Sequence, residues 1–218
     1  MNRMKVTAGA LVAAAVTAGV PATADAITPG RTSFQIMMGS QPVGTHAVTV
    51  TGNRAAATVR VAIDMAGRIG PVRFSYTHRC EEIWRNGALA SLSCTDREND
   101  RNSSVTVQLA GAVLRIDGSA FDGEAPASTL PSSWWNAGVV SQTRLIDTRN
   151  GRLIRINATR TGTETVAGAS ATRWRVRGAI DKDIWYDSAG RWVKSSFRIA
   201  GQPFEYRLTT PVSGAPRA

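Results

Sequence analysis

The sequence predicts an all-β protein, because its apolar residues recur at every second position rather than at every third or fourth. Near the C-terminus, for example, Phe204, Tyr206 and Leu208 alternate with Glu205 and Arg207. One apolar face and one charged face are typical of an antiparallel sheet that packs on a core and is wet on its other side. Several short runs of this kind, separated by turn residues, favour an antiparallel sheet, sandwich or barrel.

Turn residues separate the alternating runs along the whole chain. The dipeptides Asn86-Gly87 and Asn150-Gly151 each lie between two such runs, and Asn-Gly supplies the positive φ angles of a type I′ hairpin. We therefore predict tight hairpins at both. Further turns are predicted at Gly39-Ser40, Ala110-Gly111, Asp187-Gly190 and Ala200-Gly201.

One region departs from the strand pattern. Residues 118–131 are small, polar and acidic, and are predicted to form a loop. Residues 132–143 follow and are predicted to contain one short helix, with Ser132 or Ser133 as its N-cap.

The N-terminus has the features of a secretory signal peptide. A positive start is followed by an apolar stretch at residues 8–20, and Ala24 and Ala26 form the small-residue pattern that signal peptidase accepts. We predict a signal peptide over residues 1–26, cleaved after Ala26. The alternative is an uncleaved anchor, which the well-formed cleavage site disfavours.

Residues 27–218 then form a single antiparallel β domain that is periplasmic or secreted. The net charge of the full chain is +10, and the basic residues are spread along it rather than clustered. Since an exported protein meets little nucleic acid, we expect no nucleic-acid partner. An anionic membrane surface or a lipid is the expected partner, because positive charge attracts anionic leaflets.

Two cysteines, Cys80 and Cys94, remain after cleavage, and an even number in an exported chain suggests a disulfide. Free thiols or a metal site are the alternatives. A two-residue turn at Asn86-Gly87 would place Cys80 opposite Ser93, one position away from Cys94. The bridge therefore requires a β-bulge of one residue between the turn and the cysteines.

The stretch around Cys80 carries the most distinctive polar pattern. At period two, Tyr76, His78, Glu82 and Trp84 share the face of Cys80. Aromatic, imidazole and carboxylate groups together can bind a ligand or move protons. The alternative interpretation is that His78 and Glu82 only satisfy neighbouring polar groups inside a barrel.

No motif in the chain indicates a metal centre, a cofactor or a nucleophilic active site. Histidine occurs only twice, and a zinc site needs three or four ligands. No cofactor is expected. Six tryptophans are many for a chain of this size; most are expected in the core, and Trp135 and Trp185 are candidates to line a cavity for an apolar ligand.

The order of these motifs resembles that of a family of exported, mostly proteobacterial proteins known only as a domain of unknown function. The matching motifs are Gly-x-His, Tyr-x-His, Glu-x-Trp, Gly-x-Leu-x-x-Leu, an aromatic-Trp pair, Gln-Thr-x-Leu and Trp-Tyr-Asp. The residues that carry them are Gly44, His46, Tyr76, His78, Glu82, Trp84, Gly87, Leu89, Leu92, Trp135, Gln142, Thr143, Leu145, Gly151, Trp185, Tyr186 and Asp187. Relatives often carry cysteines near Ala88 and Ser133, so a Cys80–Cys94 bridge would be particular to this chain.

The resemblance implies one strongly curved antiparallel sheet, similar to the open half-barrel of periplasmic lipoprotein carriers. It favours a non-catalytic binding or carrier module for an apolar or lipid-like ligand. Two alternatives remain: a structural envelope protein without a small ligand, and a hydrolase-like enzyme that uses His78 and Glu82. A deep apolar cavity would favour the carrier, and a filled barrel the structural protein.

Overall fold

The computed structural model describes residues 27–209, most of which lie in β-strands. The predicted signal peptide lies outside the described residues and stays a prediction. A single turn of 3₁₀ helix spans Ala137–Ser141. Among the described residues, no helix has the length and apolar character needed to cross a bilayer. The fifteen strands are β1 (Gly30–Met38), β2 (Gln41–Gly52), β3 (Ala56–Ile69), β4 (Val72–Arg85), β5 (Ala88–Glu98), β6 (Arg101–Ala110), β7 (Val113–Gly118), β8 (Phe121–Pro126), β9 (Leu130–Pro131), β10 (Arg144–Ile146), β11 (Leu153–Val166), β12 (Ala169–Gly178), β13 (Lys182–Asp187), β14 (Trp192–Ile199) and β15 (Gln202–Leu208).

All fifteen strands belong to one sheet, in the order β8-β7-β6-β5-β4-β3-β2-β1-β15-β14-β13-β12-β11-β10-β9. The first strand pairs with β2 on one side and with the last strand, β15, on the other. The short β9 and β10 are parallel, and the other pairings are antiparallel. The predicted all-β fold with a single antiparallel sheet is thus confirmed.

The sheet curls until its two ends approach each other, without closing into a continuous ladder. The backbone N–H of Ala120, in the β7–β8 turn, donates to the carbonyl of Asn150, in the β10–β11 turn, at 3.1 Å. Gly118 lies so close to the same turn that an added Cβ would be 2.5 Å from the Asn150 oxygen. The predicted curved, open barrel is therefore confirmed.

Alternate residues of each strand point into the curve and form the core. In β3, Val59 and Val61 are buried while Arg60 is exposed. Trp84 and Phe34 are among the largest fully buried side chains. Val72 is an exception, because it starts β4 beside a turn and is 65% exposed, although its period-two phase places it with the core residues.

The hairpin at Asn86-Gly87 has the predicted form. Both residues have positive φ, 51° and 79°, and they alone separate β4 from β5. The predicted tight hairpin at Asn150-Gly151 is wrong. The connection between β10 and β11 spans six residues, because Asp147 accepts the N–H groups of both Asn150 and Gly151 on its carbonyl and so widens the turn.

The prediction for residues 118–131 as a loop is also wrong, since this segment contains β8 and β9. The alternation of apolar and polar residues in this segment is weak, because β8 is an edge strand with a single buried residue, Ala125. The short helix predicted in residues 132–143 is present as the 3₁₀ turn. Its N-cap is Asn136, whose side chain accepts the N–H of Gly138, rather than Ser132 or Ser133.

The Cys80–Cys94 disulfide is present, which confirms that prediction. The two residues are direct partners across β4 and β5. The register shifts by one position next to Ile83 and Trp84, where Ser91 and Leu89 are the partners and Ala90 is left over. Ala90 therefore supplies the one-residue bulge that the cysteine spacing requires.

Candidate ligand-binding cavity

A cavity of about 340 Å³ lies on the inner side of the curved sheet. Most of its wall is apolar and comes from β3, β4, β14 and β15. It reaches the surface, because exposed residues such as Ser75, Glu98 and Ile199 are part of its lining. Its apolar lining includes Ile63, Met65, Ile69, Phe74, Phe197 and Phe204.

The remaining wall is polar and carries positive or titratable groups. His46 on β2, His78 on β4 and Lys182 on β13 all line the cavity and are all less than one-tenth exposed. Each occupies an inward position of its strand, so the same pleat that buries the core residues also buries these groups. The cavity therefore combines an apolar wall with a polar region.

Lys182 lies between two tryptophans. Its Nζ is 4.3 Å from the ring centroid of Trp134 and 5.4 Å from that of Trp192. Cation–π contacts of this kind stabilise an ammonium. Among the described residues, none of the ion pairs includes Lys182. Burial lowers the pKa of Lys182 to about 7, because the charged form is poorly solvated.

The loop that carries Trp134 is held against the barrel by a hydrogen bond. The hydroxyl of Tyr186 on β13 donates to the Trp134 carbonyl at 2.8 Å. Trp134 itself has a positive φ of 66°, which is uncommon for a bulky residue and indicates a backbone fixed by its surroundings. The indole next to Lys182 is thus rigidly placed.

His46 is packed among aromatic rings and has no hydrogen-bond partner on either ring nitrogen within the described residues. The ring meets Trp192 and Tyr206 edge-on, with centroids 5.0 and 5.4 Å away. Burial lowers the pKa of His46 well below its ordinary value, and the nearby Lys182 and His78 lower it further. The imidazole is therefore neutral at physiological pH, with one N–H to donate.

His78, unlike His46, has a partner on the neighbouring strand. Its Nδ1 donates to Oδ2 of Asp96 on β5 at 3.2 Å, and both side chains are buried. Tyr76 lies one inward position away, with its ring parallel to that of His78. Burial raises the pKa of Tyr76, and Asp96 raises it further. His78 and Asp96 thus connect β4 to β5 inside the barrel.

A second ion pair lies at the cavity beside the β10–β11 turn. Arg149 donates to both oxygens of Asp147, at 3.0 and 2.7 Å, and the carboxylate also accepts the Arg149 backbone N–H. The carboxylate is 3% exposed, whereas the guanidinium is half exposed. The negative charge of Asp147 is therefore fully satisfied within its own turn.

Glu82 lies outside the cavity lining, deep in the core. Its Oε2 accepts hydrogen bonds from the indole N–H groups of Trp84 and Trp135, at 2.8 and 2.9 Å. Burial raises the pKa of Glu82, and the Ser133 hydroxyl and the two indoles lower it in part. The carboxylate thus fixes the segment after β9 to β4, and it does not face the space lined by His78.

Trp185 lies on the opposite side of the sheet from the cavity. It packs with Ala171 and Val193, and Arg173 and Lys194 lie over its ring at 5.1 and 4.9 Å. Of the predicted ligand-binding residues, the structure brings Tyr76 and His78 to the cavity. The remaining four, Glu82, Trp84, Trp135 and Trp185, do not line it.

The donor atoms of His78, Cys80 and Cys94 lie within 4.8 Å of one another. Thiolates are the sulfur ligands of metals, and both sulfurs are bonded to each other in the disulfide. This group is therefore part of the covalent core in the oxidised protein.

The sequence analysis did not single out Lys182 as a site residue, although a signal was present. Lys182 shares its period-two phase with Ile184 and Tyr186, so the alternation places a lysine on the apolar face of β13. A charged residue on an apolar face is unusual enough to mark a functional position. The proximity of His46 to Lys182 depends on the pairing of β1 with β15 and has no such local signal.

The family to which this chain belongs is shown by its match to a family model. Residues 34–209 match the family described as a domain of unknown function, DUF6134. The chain belongs to this family. The match begins within β1 and ends just after β15. The resemblance to a family of unknown function is thus confirmed.

A solved structure shares the fold of this DUF6134 protein. The crystal structure of a β-barrel-like protein of the domain of unknown function DUF1849, from Brucella abortus, superposes with a TM-score of 0.63. The alignment covers 84% of this chain and 97% of the other, at 7% sequence identity. At this identity the likeness concerns the fold alone. Among curated proteins, none matches significantly.

Proposed function

We propose that the chain is an exported, non-catalytic binding or carrier protein for an apolar or lipid-like ligand. The cavity inside the curved sheet carries this proposal. Ligand sites are typically concave, mostly apolar and about 300–1,000 Å³ in volume, with a few placed polar groups. The cavity has a volume of about 340 Å³, an apolar wall and a small polar region, and so matches this description.

The position of Glu82 argues against the hydrolase alternative. An enzyme that uses His78 and Glu82 needs both side chains at one substrate. His78 faces the cavity, whereas Glu82 is buried elsewhere and bonded to two indoles. A purely structural envelope protein would need no cavity, so the carrier is the better supported of the remaining functions.

Export is part of the proposal, and the cleavage site at Ala26 provides its test. The Ala24-Asp25-Ala26 sequence after an apolar run supports a signal peptide, and the disulfide is compatible with an oxidising compartment. N-terminal sequencing of protein from the periplasmic or secreted fraction should give Ile27. A start at Met1 in that fraction would contradict the proposal.

Ligand binding can be tested by purifying the protein from its native compartment and analysing the organic extract by mass spectrometry. The variant Ile69→Trp places an indole in the cavity wall, and Leu109→Trp adds the same group at an exposed position outside it. We expect a co-purifying amphiphile or lipid with the wild type and with Leu109→Trp, and its loss from Ile69→Trp.

The same three proteins should be titrated with a fluorescent fatty-acid probe. Saturable binding is expected for the wild type and for Leu109→Trp, and much weaker binding for Ile69→Trp. Two results would contradict the proposal: no extractable ligand together with no probe binding by the wild type, or equal binding by all three proteins when each is folded.

A further inference from the structure

Lys182 is buried without a compensating charge. It is 8% exposed, its ammonium lies over the rings of Trp134 and Trp192, and none of the ion pairs among the described residues includes it. Burying a charge is costly unless it is paired, so an unpaired ammonium in a wall is unusual. A cavity that holds such a group is predisposed to accept an anion beside it.

Three of the acidic groups around the cavity, Asp147, Asp96 and Asp181, are paired with other residues, and a fourth, Glu98, lies at its mouth. Asp147 is bonded to Arg149, and Asp96 is bonded to His78. Asp181, next to Lys182 in sequence, is exposed and faces Arg177 at 3.8 Å. Glu98 is exposed at the mouth of the cavity.

The other titratable groups at the cavity are His46, His78, Tyr76, Tyr206 and Arg149. None of these five can supply a negative charge near neutral pH, because burial raises the pKa of both tyrosines. The inner part of the cavity therefore has an uncompensated positive charge whenever Lys182 is protonated.

His46 provides a second, independent observation at the same place. It lines the same cavity, is 3% exposed and has no hydrogen-bond partner on either nitrogen among the described residues. Buried polar groups in native proteins are nearly always hydrogen-bonded to protein, water or ligand. Trp192 contacts both His46 and Lys182, so the unsatisfied imidazole and the ammonium border one region.

We propose that the cavity binds an anionic amphiphile with a single alkyl chain, whose charged head group pairs with Lys182 and accepts a hydrogen bond from His46. This inference rests on the proposed carrier function and specifies its ligand. The alkyl chain lies along the apolar wall formed by Ile63, Met65 and Phe197. A volume at the lower end of the range for ligand sites suits one chain better than a larger lipid.

Two probes of equal chain length, laurate and dodecanol, separate charge recognition from apolar binding. Their affinities are measured by calorimetry on the full exported chain and on two variants. Lys182→Met removes the cavity ammonium with little change in volume. Lys194→Met is the matched control, because Lys194 also lies over an indole, that of Trp185, but on the outside of the sheet.

The wild type and Lys194→Met should bind laurate at least about tenfold more tightly than dodecanol, which corresponds to ~1.4 kcal/mol. Lys182→Met should bind both probes alike and keep the dodecanol affinity of the wild type. A retained laurate preference in Lys182→Met, or no preference in the wild type, would overturn the inference but leave the carrier function intact. Binding of neither probe to the wild type would contradict both.

If Lys182→Met does not fold, a measurement on the wild type alone tests whether Lys182 pairs with the anionic head group. Dodecanesulfonate keeps its charge at all relevant pH values, whereas Lys182, with a pKa of about 7, loses its proton as the pH rises. The affinity for dodecanesulfonate should fall as the pH is raised through and above this value, and the affinity for dodecanol should stay constant. Equal pH dependence of the two probes would overturn the inference.

Discussion

At the scale of single residues, buried ionisable groups distinguish this barrel from an ordinary β core. Three of them, Lys182, Glu82 and His46, are less than one-tenth exposed, and their hydrogen bonds and contacts differ. Glu82 accepts hydrogen bonds from two indoles, whereas Lys182 lies over aromatic faces and His46 has no hydrogen-bond partner in the described chain. Oε1 of Glu82 also has no partner among the described residues, but Glu82 does not line the cavity, whereas Lys182 and His46 do.

Lys182 should make the stability of the ligand-free protein depend on pH. Its pKa is lowered by burial from 10.5 to about 7, so between these values the unfolded chain holds a proton that the folded chain has released. The free energy of unfolding therefore rises with pH across this interval. Below about pH 7 both states are protonated, and the full cost of burying the charge is present.

Lys182→Met should accordingly raise the free energy of unfolding below pH 7 by up to about 5 kcal/mol, at 1.36 kcal/mol per pKa unit. The gain should shrink as the pH approaches 10. Urea denaturation of the delipidated proteins at several pH values measures this. Lys194→Met should show no such trend, and a pH-independent difference for Lys182→Met would contradict the prediction.

Glu82 is expected to matter for stability rather than for binding. Glu82→Ala leaves the indole N–H groups of Trp84 and Trp135 without their acceptor and should cost about 1–3 kcal/mol. Glu82→Gln should cost less, because the amide oxygen can still accept. The control is Glu81→Ala, which removes only an exposed ion pair with Arg60, worth about 0–1 kcal/mol. Equal urea midpoints for Glu82→Ala and Glu81→Ala would contradict this role.

At the scale of elements, the β4–β5 hairpin shows how far local patterns reach. The two-residue turn at Asn86-Gly87 follows from Asn-Gly chemistry, and the disulfide follows from export and cysteine count. Together these two predictions require the bulge, which the structure has at Ala90. The position of the bulge within β5 is not specified by the sequence pattern, since any residue between the turn and the cysteines would restore their pairing.

The disulfide should stabilise this hairpin and the barrel with it. In the chain-entropy model, a bridge between cysteines 14 residues apart contributes about 3 kcal/mol. Cys80→Ala/Cys94→Ala should therefore unfold at a lower urea concentration than the oxidised wild type, by about this amount. Thiol titration of the denatured, unreduced wild type should find no free thiol, and two free thiols would contradict the bridge.

At the scale of the whole molecule, the curl of the sheet depends on a close contact between turns that are distant in sequence. Gly118 and the Asn150–Gly151 segment approach so closely that a methyl group on Gly118 would meet the Asn150 carbonyl at 2.5 Å. Gly118 does not have a positive φ, so its backbone conformation is open to any residue. A side chain at this position would be disfavoured only by steric overlap with the Asn150 carbonyl.

Gly118→Ala should therefore destabilise the protein by about 1–3 kcal/mol, the usual cost of overpacking. Asp117→Ala is the matched control, because Asp117 is the exposed neighbour on the same strand. Thermal unfolding followed by circular dichroism compares the two. A melting temperature of Gly118→Ala equal to that of the wild type would show that the turns do not need to approach this closely.

The sequence by itself determined the strand character, the sharp turn at Asn86-Gly87 and the inward face of β4, because these depend on neighbours one to four positions apart. Tyr76 and His78 line the cavity, whereas Glu82 and Trp84, which share their phase along β4, do not, and the sequence did not distinguish the two pairs. Period two specifies a face of a strand but not the depth along it. The predicted export and signal peptide remain predictions.

Only the tertiary structure decided which inward residues meet around the cavity. His46 and Lys182 come from strands separated by most of the chain, and they approach because the first strand pairs with the last. Trp134 lies in the loop before the 3₁₀ turn, and the packing of this loop on the barrel places its indole beside Lys182. Which side chains meet around the cavity depends on the curvature of the sheet and on pairing between distant strands. Both are properties of the whole sheet, so no pattern of neighbouring residues specifies them.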